Sequence, residues 1–423
     1  MVKQILFNKN INIKKRAYIW NTISSAFFSI QSALFLLIIT RVGGETEAGS
    51  FIILFTVAQT LTSVGNYSLR DFHASDINEE YSFNDYYTTR IITCSLMLLL
   101  AFAYGLWNDL PAARFIVLLS LVGYRFVECI EDVYHGDIQR QGRFDVASIC
   151  MALRIIISSF TFCVTYLIFK NQQIASISLF LSSFFVYVVL VVIVKSQFVR
   201  LRPHLEKKRV IKLLTSAFPV FIGSFLYSYL INAPKYAIDE ILTNEAQTIY
   251  NILFMPIFVV NVLSMFIYKP MIVKLSETWV NGSVIDFTKI IIKQLIIIFI
   301  LTCFIMLGGW TIGFRLLEMI YDVSLVNYKD IFILLIFFGG VTAAVYFLNT
   351  VITLIRKQKF IIIGYGFSYI INGFITDKLV GKNGIPGAVQ SYGIIFSLLM
   401  FFYLSVIFFE IMKRRKSLFT FIF

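Results

Sequence analysis

The strongest constraint in this 423-residue chain is a recurrence. Stretches of about 20 mostly apolar residues return along its whole length, and that is the length a helix needs to cross a bilayer. Twelve such segments are predicted: 17–40, 48–69, 91–107, 113–131, 148–169, 175–195, 213–233, 246–268, 289–310, 331–355, 360–380 and 387–411. They use up most of the 58% apolar composition and leave no room for a sizeable soluble domain. The predicted class is an all-α integral membrane protein. A water-soluble domain would carry far more than 14% charged residues.

Charge orients the spans. The formal net charge is +13, which in a soluble protein would suggest nucleic acid. With the N-terminus inside, 27 of the 37 Lys and Arg fall on the inner side, 8 fall outside, and Arg125 and Arg154 remain within spans. Cytoplasmic segments carry such an excess of Lys and Arg. Both termini are therefore expected in the cytoplasm, and nucleic acid is not expected as a partner. Lys14–Lys15–Arg16 before the first span reads as the flank of a retained signal anchor.

The strongly basic connection 195–212 falls between the sixth and seventh spans. It divides the chain into an N-terminal six-helix lobe (1–195), a basic cytoplasmic linker (196–212) and a C-terminal six-helix lobe (213–423). Each half opens with a hairpin whose outer turn carries Glu-Ala, at Glu47–Ala48 and Glu245–Ala246. Duplicated halves are a common plan in transporters. Within the outer loop 311–330, Ile312, Leu316, Met319, Ile320 and Val323 have helical spacing, which predicts a short interfacial helix.

Enzymatic signatures are missing from the sequence. It has no GxxxxGK[ST] phosphate loop, no HExxH and no GxSxG. Gly364–Tyr365–Gly366 begins like a dinucleotide fingerprint but sits in an apolar helix without a strand, and reads as packing or flexibility. The predicted outer loops are too short to build a glycosyltransferase or polymerase site. No cofactor or metal is called for: the five cysteines all fall in predicted helices, and His73, His135 and His204 lie in separate inner segments.

Ionisable groups inside the membrane are the better clue, because they are costly and usually face a bundle interior or a wet cavity. Arg125 and Glu128 share a face of the fourth span. Glu131 and Asp132 follow near its inner end, and Arg154 in the fifth span is expected at the depth of Glu128 and Glu131. Two readings are open. The group binds an anionic head group or relays a coupling ion, or it is a salt-bridge cluster locking the hairpin. Arg41 and Lys235 occupy corresponding outer ends of the first and seventh spans, as a cation pair for a diphosphate or as interfacial side chains. Pro219 and Pro256 each remove a helical hydrogen bond, as hinges or as packing kinks. The inner loop 70–90, acidic with interleaved aromatics, is either a cytoplasmic gate or a surface connector.

Three stretches give the chain a family likeness: TRVGGETEAGSFIILF with the loop VGNYSLRDFHASDINEEYSFNDYYTTR after it, then RFVECIEDVYHGDIQRQGRFD, then NAPKYAIDEILTNEAQTIYNILFMPIFVVNVLSMFIYKPMIVKLSE. With twelve spans in two halves, the chain resembles the polysaccharide flippases of the multidrug/oligosaccharidyl-lipid/polysaccharide (MOP) transporter superfamily. These export lipid-linked O-antigen (lipopolysaccharide) or capsule repeat units. The resemblance implies a multi-pass flippase of the bacterial cytoplasmic membrane, not an enzyme. It implies alternating access for a polyprenyl-diphosphate-linked oligosaccharide, with membrane lipids, a polysaccharide polymerase and glycosyltransferases as partners. It makes Arg41, Arg125, Arg154 and Lys235 the diphosphate candidates, and Glu128, Asp132, Pro219 and Pro256 the coupling or gating candidates. The alternative is a drug or cation antiporter of the same superfamily.

Overall fold

The computed structural model describes residues 12–70, 73, 80–198, 206–281 and 283–420. Among them twelve long helices run in chain order and no strand occurs. They are α1 (Ile13–Gly43), α2 (Glu45–Asn66), α3 (Phe83–Trp107), α4 (Ala112–Arg140), α5 (Phe144–Phe169), α6 (Gln172–Phe198), α7 (Lys207–Ile241), α8 (Asn244–Tyr268), α9 (Val284–Gly308), α10 (Lys329–Leu354), α11 (Lys359–Asn383) and α12 (Ile385–Thr420). Each coincides with one predicted span, although α2, α9 and α10 end one to three residues short of theirs. Residues 71, 72 and 74–79 of the predicted inner gate, and 199–205 of the predicted linker, lie outside the described residues.

Helix boundaries follow local chemistry. α3 starts eight residues before the predicted span because Ser82 and Asp85 form a reciprocal capping box over its first turn. Ser283 caps α9 and Thr243 caps α8 by the same side chain-to-backbone bond. α8 continues through Pro256, and α7 continues through both Pro219 and Pro234. The predicted outer segment 311–330 contains a short helix, Phe314–Tyr321, which ends on Asp322 in the left-handed region. Ile312 and Met319 are exposed there, while Tyr321 and Val323 are buried. A second short helix, Ile272–Asn281, was not expected from the sequence. Arg414 of α12 holds it, stacking on the Trp279 ring at 4.4 Å and donating to the Trp279 and Val280 carbonyls.

Eleven helices are long and apolar enough to cross a membrane, and α4 is the exception. At 1.5 Å per residue its 29 residues extend about 44 Å, so length is not its shortfall. Its charged residues lower its hydropathy, and the neighbouring helices bury them. Exterior faces of the apolar helices carry large exposed side chains such as Phe160, Val192 and Phe304. This is the inverse of a soluble protein, and it suits a lipid solvent that cannot satisfy an open backbone.

The chain divides into two compact units, Met1–Ser228 and Tyr229–Phe423, and the division falls within α7. In the first unit α4 is central, packed against α2, α3, α5 and α6, while α1 packs on α5 and α2. Phe35, Phe51, Phe55 and Phe162 form an aromatic core there, with Phe35 and Phe162 centroids 4.2 Å apart. In the second unit α10 is central, packed against α8, α9 and α12, and α11 packs on α12. Gly364 of α11 lets Tyr403 approach: a Cβ there would lie 2.7 Å from its ring, whereas Gly366 has open space around it. α4 and α10 are each the central helix of their unit. They differ in chemistry, since the centre of the first is charged and that of the second is apolar.

Candidate functional site

α4 presents its ionisable residues to three neighbouring helices. Near the middle, Arg125 Nη1 donates to Glu128 Oε2 at 2.7 Å, one turn away. The Arg125 guanidinium is buried, over the rings of Phe55 at 4.9 Å and Phe28 at 5.6 Å. One turn further, Arg154 of α5 donates its Nε–H to Glu131 Oε2 at 2.5 Å. Arg154 is fully buried and also reaches Ser183 Oγ of α6 at 3.3 Å. His135 Nε2 lies 3.5 Å from the other Glu131 oxygen. Arg125 and Arg154 both stand beside the Tyr124 ring, at 5.4 and 5.3 Å. Gln31 of α1 completes this layer, donating to the Tyr124 hydroxyl at 2.9 Å and to Ser159 Oγ at 2.8 Å.

A second layer lies at the end of α4. Asp132 sits between two guanidiniums: Arg70 and Arg90 both pair with it, Arg90 at 2.9 Å. Arg90 is buried and also donates to Gly65 O and Asn66 Oδ1, both at 3.0 Å. These bonds tie the end of α2 to α3 and α4. Asp137 accepts from Arg140 and Gln141, both at 2.8 Å. His73 is buried between Tyr86, stacked at 4.1 Å, and α4, where Gly136 leaves its imidazole room. Burial first, then the nearby Arg140 charge, push the His73 imidazole down to about 3, so it is neutral at physiological pH.

The structure thus brings Arg125, Glu128, Asp132 and Arg154 into one cluster and supplies each with an opposite charge. Arg41 lies in the first unit and Lys235 in the second. Arg41 is exposed in the last turn of α1. Lys235 lies in the second unit, 7% exposed, with its Nζ 4.8 Å from the Phe254 ring centroid. No carboxylate among the described residues pairs with it. Pro219 is on an exposed face of α7, and Pro256 is half-buried in α8. Arg70, Arg90 and Asp137 were not anticipated as members of the cluster. The available signal was their position, two arginines bracketing the acidic stretch 71–89 and an aspartate one turn beyond Asp132–Val133.

No family model and no curated protein matches the chain. Solved structures do match its fold. The lipid II flippase MurJ in an inward closed conformation superposes with a TM-score of 0.71 at 12% identity, over 92% of this chain and 87% of that one. The MATE multidrug transporter DinF-BH gives 0.63 at 11% identity, over 94% of each chain. A MOP superfamily transporter from Pyrococcus furiosus gives 0.56 at 12% identity, over 97% of each. The chain therefore has the helical transporter fold that MurJ and the MATE proteins share.

Proposed function

We propose that this protein is a flippase that moves a polyprenyl-diphosphate-linked oligosaccharide repeat unit across the bacterial cytoplasmic membrane for cell-surface polysaccharide synthesis. Lys235 carries the reading. A buried cation is costly without a counter-charge, and Lys235 has a ring face and, among the described residues, no paired carboxylate. A diphosphate would supply the missing anion. A site built for a cationic drug would place a carboxylate there instead. Arg41, in the last turn of α1, is a separate candidate for a phosphate contact.

The fold likeness to a lipid II flippase supports the flippase reading. The fold likeness to a multidrug transporter keeps the drug antiporter as the competing function. In this account Arg154 and Glu131 brace the first unit, Arg125 and Glu128 line its core, and Asp132 clamps its inner end. Pro219 and Pro256 are places where α7 and α8 bend as access alternates. α1 and α7 both start on the cytoplasmic side, where glycosyltransferases complete the substrate; the polymerase acts on the product outside.

Deleting the gene in a strain without a second flippase should trap lipid-linked repeat units on the inner leaflet and strip the surface polymer. Unchanged surface polymer in that strain would refute the proposal.

A further inference from the structure

The end of α2 makes an unusual turn. Tyr67 and Ser68 both have left-handed backbone conformations, with φ of 46° and 52°. Among the described residues they are the only consecutive pair of non-glycine residues with positive φ. A single left-handed residue often ends a helix, and glycine or asparagine usually fills it. Here two residues with side chains hold the strained conformation in succession. Such strain persists only where surrounding contacts over-determine it.

The contacts come from the first half of α7, within the same unit. The Tyr67 ring stacks on Phe221 at 4.3 Å with a 15° interplanar angle. Ser68 Oγ lies 3.2 Å from Ser224 Oγ. About three turns earlier on α7, Lys212 Nζ donates to Glu80 Oε1 at 2.7 Å, and Arg209 Nη1 lies 3.9 Å from Asp85 Oδ2 at the start of α3. The ion pair at Glu80 and Lys212 is solvent-exposed, so it forms and breaks at little cost. On its other side the turn is anchored: Arg90 holds Gly65 O and Asn66, and Arg70 reaches Asp132.

We infer that the Tyr67–Ser68 turn is a strained latch. Docked, it grips the first half of α7 through one aromatic stack, one hydroxyl contact and two ion pairs, of which Glu80–Lys212 is exposed and Arg209–Asp85 has a buried carboxylate. Released, the turn relaxes out of the left-handed region and α7 swings free of α2 and α3. The strain works against the docking contacts and keeps the two states close in free energy, which a cycling transporter requires. The inference rests on the protein being a transporter, not on which substrate it carries.

The test needs no substrate. Spin labels at Glu80→Cys and Lys212→Cys, in the full chain in nanodiscs, report the distance from α7 to the start of α3. Labelling removes the Glu80–Lys212 pair, so docking then depends on Tyr67, Ser68 and the Arg209–Asp85 pair. Two distance populations are expected. Ser68→Asn relieves left-handed strain, because asparagine tolerates that region, and keeps a polar side chain for Ser224; it should raise the docked-to-released ratio about threefold. Tyr67→Ala keeps the strain, loses the stack and should lower the ratio about fivefold. A single distance in all three proteins, or a ratio that both substitutions leave unmoved or shift in the same direction, would overturn the latch. Because no transport is measured, a wrong substrate assignment leaves this result intact.

Discussion

Arg154 and Glu131, on neighbouring helices and 23 residues apart, meet at 2.5 Å in the interior of the first unit. The arginine is fully buried and the glutamate nearly so. Removing one member of such a pair strands the other charge, at a cost of about 3–5 kcal/mol. Arg154→Ala is therefore expected to lower the melting temperature of the detergent-solubilised protein sharply. Arg154→Met with Glu131→Gln should recover much of it, since neither variant side chain is charged. Normal melting with lost transport in Arg154→Ala would instead make this arginine a substrate group.

Arg125→Ala should be milder. Its partner Glu128 is less buried than Glu131, so the carboxylate left behind keeps some solvation. A loss of about 1–3 kcal/mol is expected from chemical denaturation, less than for Arg154→Ala. A larger loss than at Arg154 would contradict the placement of the two pairs.

Gly136 makes an opposite-sign test of helix propensity. Alanine in mid-helix ordinarily gains about 1 kcal/mol over glycine. At Gly136 an added Cβ would stand 2.5 Å from His73 Nδ1, and that imidazole is buried and stacked on Tyr86. Gly136→Ala should therefore destabilise by about 1–3 kcal/mol. A thermal melt showing stabilisation would mean that His73 is not packed against α4.

His73 also sets a pH dependence. Its folded pKa is depressed to about 3 from the ordinary 6.5, so between those values the unfolded chain binds the extra proton. The contribution is complete above about 6.5 and is lost as pH falls toward 3. His73→Phe should flatten the fall in melting temperature between pH 6.5 and 4.5. An unchanged pH profile in this variant would show that the imidazole titrates normally.

The orientation is open to direct labelling. A cysteine at Lys208 should react with an impermeant maleimide only from the cytoplasmic side, and one at Asn108 only from outside. The opposite pattern would invert the topology.

The helical architecture was legible because a 20-residue apolar period depends only on the solvent. The exception is instructive. α4 falls short of the apolar criterion because it holds the charges of the first unit, yet it is a central helix. Composition cannot say that Arg90 and Arg70 fold back to neutralise Asp132, or that Gln31 bridges Tyr124 and Ser159. Those contacts join residues up to 128 positions apart. The candidate residues on α4 and α5 were legible as charges in a membrane. Their pairing was not, because it depends on helix rotation about the axis. The strained turn at Tyr67 left no sequence signal, since neither residue there is glycine or asparagine.

The central claim is that a lipid-linked diphosphate saccharide is the cargo and that Lys235 meets its diphosphate. Purified protein in proteoliposomes, supplied with a fluorescent polyprenyl-diphosphate oligosaccharide, tests both together. Wild-type protein should move the lipid between leaflets. Lys235→Ala should slow this about tenfold or more, the loss of one charge-assisted contact, and Lys235→Arg should retain part of the rate. No movement of the lipid by wild-type protein, alongside gradient-driven export of a cationic dye, would contradict the account and establish the antiporter in its place.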